Sequence, residues 1–330
     1  MRRIIFVIIL FLGMLVLLTR FTAGTKLFFT LQEGIWWWVA LAIMIEVIYL
    51  LNQGAFYTSL YHFFGVKDHF KYLFNLTLAY NFVSVILPGG NLSASALIVH
   101  DAICRGMETS RAIMLNFIYS LLSYTCFILI LILGFFYLIT KNMLHLYEAI
   151  TAFLLLTLVL SQIFILLIAY FKPTWLIHFA ASLARGLNWL SFPFIKRTIL
   201  EPGQATSFAE EFGITVKFLT ERWQKLWRSV TFAFLGEILR ISILGILFLA
   251  FRQQINLGNL IAGYAVGILF VIISVTPGGT GIMEGIMAVV FTSLGIPFEK
   301  AVVVTFAYRG ITFWLPFILG IFGLRRTKRT

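Results

Sequence analysis

Long apolar runs separated by short polar loops dominate the chain, and their lengths fall into two groups. Residues 4–19, 35–60, 112–140, 149–171, 229–251 and 301–323 predict full transmembrane helices. Four further arms come in pairs, 70–87 with 91–104 and 259–276 with 281–294, each pair interrupted by Pro-Gly-Gly: Pro88-Gly89-Gly90 and Pro277-Gly278-Gly279. Proline removes a backbone donor and glycine takes angles other residues avoid, so a helix must stop there. In hydrocarbon such a break is tolerated where protein buries it or a wet cavity faces it. The arm 91–104 has 14 residues, or ~21 Å of helix, too short for a hydrocarbon core of ~30 Å. Each pair is therefore expected to be a re-entrant hairpin meeting near the midplane. Residues 4–19 also admit a signal-peptide reading, but no small-residue cleavage site follows and Arg20 stands where one is expected, which favours a retained helix. Trp36-Trp37-Trp38 opens the second helix as an interfacial anchor.

Residues 172–228 form the only extended polar stretch. Ser207-Phe-Ala-Glu210 has the form of a capping box, and Phe208, Phe212, Leu219, Trp223 and Leu226 recur at helical spacing opposite Lys217, Glu221, Lys225 and Arg228. That pattern predicts a helix lying on anionic headgroups, or a surface for a regulatory partner.

The balance of residue types places this pattern in a membrane. The 330 residues are 61% hydrophobic and 12% charged, against ~45–50% apolar and ~25% charged in soluble domains. A net charge of +12 would suggest nucleic acid, but 18 basic residues fall on the side of the N-terminus, 172–228 and the C-terminus, and five on the other. The asymmetry puts both termini in the cytoplasm and excludes a nucleic-acid partner. Two cysteines, Cys104 and Cys126, make no disulfide framework or metal cluster, and the only two aspartates, Asp68 and Asp101, argue against metal-dependent sugar-nucleotide chemistry. No nucleotide-binding loop is present, no cofactor is expected, and a proton or lipid gradient is left as the drive.

The chain also repeats itself. At an offset of 189 residues Pro88-Gly89-Gly90 falls on Pro277-Gly278-Gly279, Gly106 on Gly295, Ala112 on Ala301, Phe117 on Phe306, Tyr119 on Tyr308 and Gly134 on Gly323; a two-residue adjustment brings Glu46 onto Glu237. The topology above runs the first copy (about 35–140) opposite to the second (about 229–323), the arrangement of carriers whose substrate site lies at the repeat interface; a duplication of structural meaning only is the alternative. The copies differ in charge. Glu284 aligns with Ser95 and Arg309 with Ser120. A charge at the bilayer centre costs ~2.5–3.5 kcal/mol on insertion scales, so such residues are paired or face a polar cavity. Glu284 and Arg309 are candidates for contact with a lipid headgroup, Arg309 because its planar fork suits phosphate, or are a buried pair that fixes packing. The same two readings apply to Glu46, Glu237 and Arg240, the last two sharing a helix face. The glycine backbones of both breaks, with Gly281, are candidate anion donors at half-helix N-termini. His100, Asp101, Arg105 and Arg111 form either a docking patch for acidic headgroups or a solvated loop. Pro316 is expected to kink the last helix.

Pro277-Gly-Gly-x-Gly281-x-x-Glu284, with Ala301, Tyr308-Arg309 and Pro316 downstream and the weaker first copy at Pro88, resembles the lysylphosphatidylglycerol synthase transmembrane, or flippase-like, family, over about residues 3–325. The resemblance implies translocation of an aminoacylated phospholipid or a polyprenyl-linked or glycosylated lipid, with Tyr308 beside the arginine in the site. Ser120 stands where such proteins often carry an arginine, and no aminoacyl-transferring domain follows the last helix. The expectation is thus an all-α polytopic membrane protein of about six transmembrane helices and two re-entrant hairpins in inverted repeats. It would be a lipid translocase without enzymatic activity, its partners being membrane lipids with polar or anionic headgroups. A membrane-embedded headgroup transferase, or a non-catalytic partner of a separate lipid-modifying enzyme, is the alternative.

Overall fold

The computed structural model describes residues 34–87, 90–175, 177–178, 182, 202–274 and 277–327; the expected helix at 4–19 and the residues Pro88 and Gly89 lie outside these. Most of the described residues are helical, with no strand among them. We number the helices α1 (Trp36–Phe63), α2 (Phe70–Ile86), α3 (Asn91–Cys104), α4 (Thr109–Thr140), α5 (Leu146–Phe171), α6 (Pro202–Glu221), α7 (Trp227–Ala250), α8 (Leu257–Ile273), α9 (Ile282–Ser293), α10 (Phe298–Arg309) and α11 (Leu315–Thr327). A 3₁₀ turn over Trp223–Leu226 leads into α7, a second covers Pro277–Gly279, and a π turn over Gly310–Trp314 joins α10 to α11.

Five of these stretches are long and apolar enough to cross a membrane: α1, α4, α5, Trp223–Ala250 and Phe298–Arg326. Their outer faces stay apolar. Phe136 on α4 and Phe153 and Phe164 on α5 are among many large exposed hydrophobics. Helices apolar all round need hydrocarbon outside them. The chain is an all-α polytopic membrane protein.

The elements recur at the offset seen in the sequence, down to their caps. Gly106 follows α3 at φ +82°, and Gly295 follows α9 at φ +86°. In both places the glycine N–H bonds back to the carbonyl three residues before it (Ile103, Thr292), and the next N–H, of Met107 or Ile296, reaches the carbonyl five residues before it (Ala102, Phe291). This is one left-handed C-terminal motif, used twice, at a φ that glycine takes without strain.

Helix α1 packs antiparallel to α7. Ile35 N–H donates to Ala250 O at one end (2.9 Å), and the Ser59 and Ser229 hydroxyls meet at 2.7 Å near the other. Helix α2 packs on α11 and α4 on α8. Here the aligned glycines do the same job: a Cβ on Gly134 would stand 3.2 Å from Ala262 Cα, and one on Gly323 would stand 2.6 Å from Asn75 O. Small residues let helix backbones approach, which matters in lipid because burial of apolar side chains drives nothing there. Each core borrows from the other half. Phe127, Ile130 and Leu131 of α4 pack with α7–α10, whereas Ala233 of α7 packs with α1–α4.

Helix α6 departs from expectation. It begins at Pro202, so Ser207 lies inside it and bonds back to Gly203 O (3.1 Å) rather than capping it. Proline at a first helical position loses nothing, because that N–H has no intrahelical partner. Its stripe Ala209, Phe212, Val216 and Leu219 is buried against protein, with Gly213 lying 3.6 Å from Ala169 O of α5 at its Cβ position, and Thr215 reaches Ser110 of α4. The face read as lipid-bound is therefore largely a packing surface, and Trp223 is the stripe residue left exposed (66%).

Candidate functional site

The second break is built by three left-handed glycines: Gly278 at φ +60°, Gly279 at +68° and Gly281 at +85°. Gly278 is required twice, since its Cβ would fall 2.2 Å from Phe313 Cε2. The turn is then fastened. Glu284 is the third residue of α9 and its Oε2 accepts from Gly281 N–H at 2.8 Å, a cap that also sets a negative charge against the positive helix end. Its Oε1 accepts from Arg309 Nε at 2.9 Å, Arg309 Nη2 donates to Gly278 O at 2.8 Å, and the guanidinium lies 4.2 Å over the Phe313 ring. Both side chains are buried, 6% and 7% exposed. Glu284 and Arg309 are therefore brought together, as a latch across the break. The anion site expected at the α9 N-terminus is filled by the protein's own carboxylate. Gly281 is exposed, and the turn abuts α2.

A second polar group lies between α1 and α7, and Pro316 helps to make it. A proline there has no N–H to give the carbonyl four residues back, Thr312 O. The helix accommodates this with the π turn, closed by Leu315 N–H to Gly310 O. The freed Thr312 carbonyl accepts from Arg240 Nη1 at 3.3 Å. The expected kink is thus a widened turn with a polar consequence.

Arg240 also approaches Glu46 Oε1 at 3.9 Å and lies 4.0 Å over the Tyr49 ring. Glu237, for which pairing with Arg240 on its own helix was one of the two readings, accepts from the Tyr264 hydroxyl at 2.7 Å, while Arg240 turns to α1. Glu46 is 0% exposed, yet neither carboxylate oxygen has a hydrogen-bond partner among the described residues. The same holds for Asn52 Oδ1. Buried polar atoms are rarely left so. Gln53 continues the row, donating to Tyr119 Oη (3.2 Å) and accepting from Asn81 (3.0 Å). Tyr49, Asn52, Gln53 and Tyr264 were not singled out in the sequence. Glu46, Tyr49 and Gln53 share a helix face, and that spacing within an apolar run was the available signal.

In the first copy, Gly90 also has positive φ (+53°). Ser120, in the place of Arg309, bonds to Phe117 O (2.9 Å) and receives Gln162 from α5 (3.4 Å). No second latch exists among the described residues. At the loop end, Arg105 pairs with Asp68 and Asp101 and stacks 3.6 Å over Tyr72, while Tyr61 and Tyr72 both donate to Asp101. That is a knot tying α1, α2 and α3, not a free basic patch; Arg111 pairs with Glu108 at 3.1 Å. No group of three or more possible metal ligands occurs among the described residues.

Comparison with known proteins follows the same lines. Residues 4–320 match the family model of the lysylphosphatidylglycerol synthase TM region. A UPF0104 membrane protein of Methanocaldococcus jannaschii is 25% identical over 301 residues, 88% of this chain and 85% of that protein. One from Pyrococcus horikoshii is 31% identical over 113 residues, 33% of each chain, and one from Methanothermobacter thermautotrophicus 28% identical over 115 residues, 35% of this chain and 34% of that one. The duplicated breaks, the glycine turn fastened by Glu284 and Arg309 and a match over nearly the whole length agree: the chain belongs to the family of lysylphosphatidylglycerol synthase transmembrane regions.

Proposed function

We propose that the protein moves a lipid with a polar or charged headgroup between the leaflets of the cytoplasmic membrane. The headgroup passes along the row between α1 and α7 while the tails stay in the bilayer. One observation carries this reading. Glu46 is fully buried with Arg240 at 3.9 Å and no hydrogen bond to either carboxylate oxygen, and Asn52 Oδ1 is unbonded as well, both on the helix that runs antiparallel to α7. A protein that only filled the membrane would gain nothing from such groups, each costing ~1–3 kcal/mol unsatisfied; a carrier needs them for its cargo. In this reading α2–α3 and α8–α9 are re-entrant hairpins, because 17, 14, 17 and 12 residues make arms of only ~18–26 Å. Both termini are cytoplasmic by the distribution of basic residues, and Arg240 is the cation that meets an anionic group in transit. The latch of Glu284 and Arg309 holds the shape of the break rather than the cargo.

The test is a leaflet-resolved assay of labelled anionic, zwitterionic and polyprenyl-phosphate lipids in proteoliposomes. Wild type is expected to move at least one class faster than protein-free vesicles, and Arg240→Gln to lower that rate at least about tenfold, the effect of ~1.4 kcal/mol. Rates equal to those of empty vesicles for every class overturn the proposal.

A further inference from the structure

A groove of about 790 Å³ opens where the last turns of α1 meet the start of α7. It lies apart from the latch of Glu284 and Arg309. Three of its lining residues, His62, Lys225 and Arg228, are basic, and none is acidic. Lys225 and Arg228 are exposed and make no ion pair among the described residues; Arg228 only leans over the Trp227 ring at 5.7 Å. Like charges gathered on a concave wall repel one another, and a phosphate between them removes that penalty. The other walls are apolar. Trp227 (62% exposed) and Phe70 (42% exposed) line the groove, and below it Val230, Phe234 and Ile238 expose the lipid face of α7. Tryptophan at such a border is an interfacial anchor. A site with cations at the rim and an apolar wall running into the bilayer suits a molecule with an anionic head and acyl tails. A free anion would use only half of it.

We infer that this groove is a binding site for an anionic glycerophospholipid, its phosphate between Lys225 and Arg228 and its chains along α7. Phe232 stands in its lining, and the carbonyl of Phe232 accepts from Asn52 Nδ2 at 2.8 Å. The groove therefore borders the unpartnered polar row at Asn52. Binding here is a separate property from translocation: a lipid held in this groove is held whether or not the chain moves it.

Native mass spectrometry of the full chain, released from nanodiscs of mixed phosphatidylglycerol and phosphatidylcholine, reads the retained lipids directly. Wild type is expected to retain phosphatidylglycerol in preference to phosphatidylcholine. Lys225→Gln and Arg228→Gln should each reduce the preference about fivefold, the factor given by ~1 kcal/mol per basic residue at a lipid surface. The double variant should lose both factors, while Lys141→Gln with Arg252→Gln, at the loops on the other side, keeps the wild-type preference. Added inorganic phosphate should not displace the lipid. Unchanged preference in the Lys225 and Arg228 variants, equal loss in the Lys141 and Arg252 control, or displacement by inorganic phosphate each overturns the assignment.

Discussion

Glu284 and Arg309 show why one charge in a membrane protein is better understood by its partners than by its depth. Glu284 caps α9 with one oxygen and holds Arg309 with the other, and Arg309 returns to the turn through Gly278 O. Removing one member of a buried pair leaves the other unpaired, which costs ~3–5 kcal/mol, whereas replacing both by apolar residues is often far milder. Arg309→Met alone is therefore expected to lower thermal stability in detergent by ~3–5 kcal/mol. Glu284→Leu together with Arg309→Met should recover part of that loss, with a coupling of ~1–3 kcal/mol in the cycle. The sequence marked both residues, and their alignment with Ser95 and Ser120 marked the second copy as different. What it left open was whether the two meet. The answer depends on α9 and α10 bringing residues 25 apart within 2.9 Å, a distance no spacing along the chain encodes. Arg240 was less legible still, because its counter-charge, Glu46, and its acceptor, Thr312 O, come from segments remote in sequence.

At the scale of elements, apolar run length and glycine position carried most of the information. The arms around the first break were bounded within a residue: α2 ends at Ile86, and α3 covers Asn91–Cys104 with Gly106 just past its end. One boundary was misread for a local reason. Pro202 starts α6 ahead of Ser207, while at Pro316 the last helix carries a π turn. The glycines give a prediction that separates strain from crowding. Gly65 and Gly278 both have positive φ, but a Cβ on Gly65 meets nothing within 4 Å, whereas one on Gly278 meets Phe313 at 2.2 Å. Gly65→Ala should cost only the left-handed conformation, ~1–2 kcal/mol. Gly278→Ala adds overpacking, a further ~1–3 kcal/mol. Melting temperatures of the two variants should rank in that order, and equal values would contradict the crowding.

At the scale of the whole molecule, the offset of 189 residues organises the structure. The same glycine motif ends α3 and α9, and the same glycine crossing joins α4 to α8 and α11 to α2. Much of this was readable because glycine and proline act locally and leave identities that survive duplication. The α1–α7 seam was not, because it forms only when the two copies meet. Translocation as proposed requires the halves to move along that seam. The most direct measurement locks it. Ser59 and Ser229 place their hydroxyls 2.7 Å apart across α1 and α7, so cysteines at both positions, in a chain with Cys104 and Cys126 replaced by serine, are placed to form a disulfide. Lipid translocation in proteoliposomes is expected to stop on oxidation and return on reduction; an oxidised protein that moves lipid as fast as the reduced one would contradict the account.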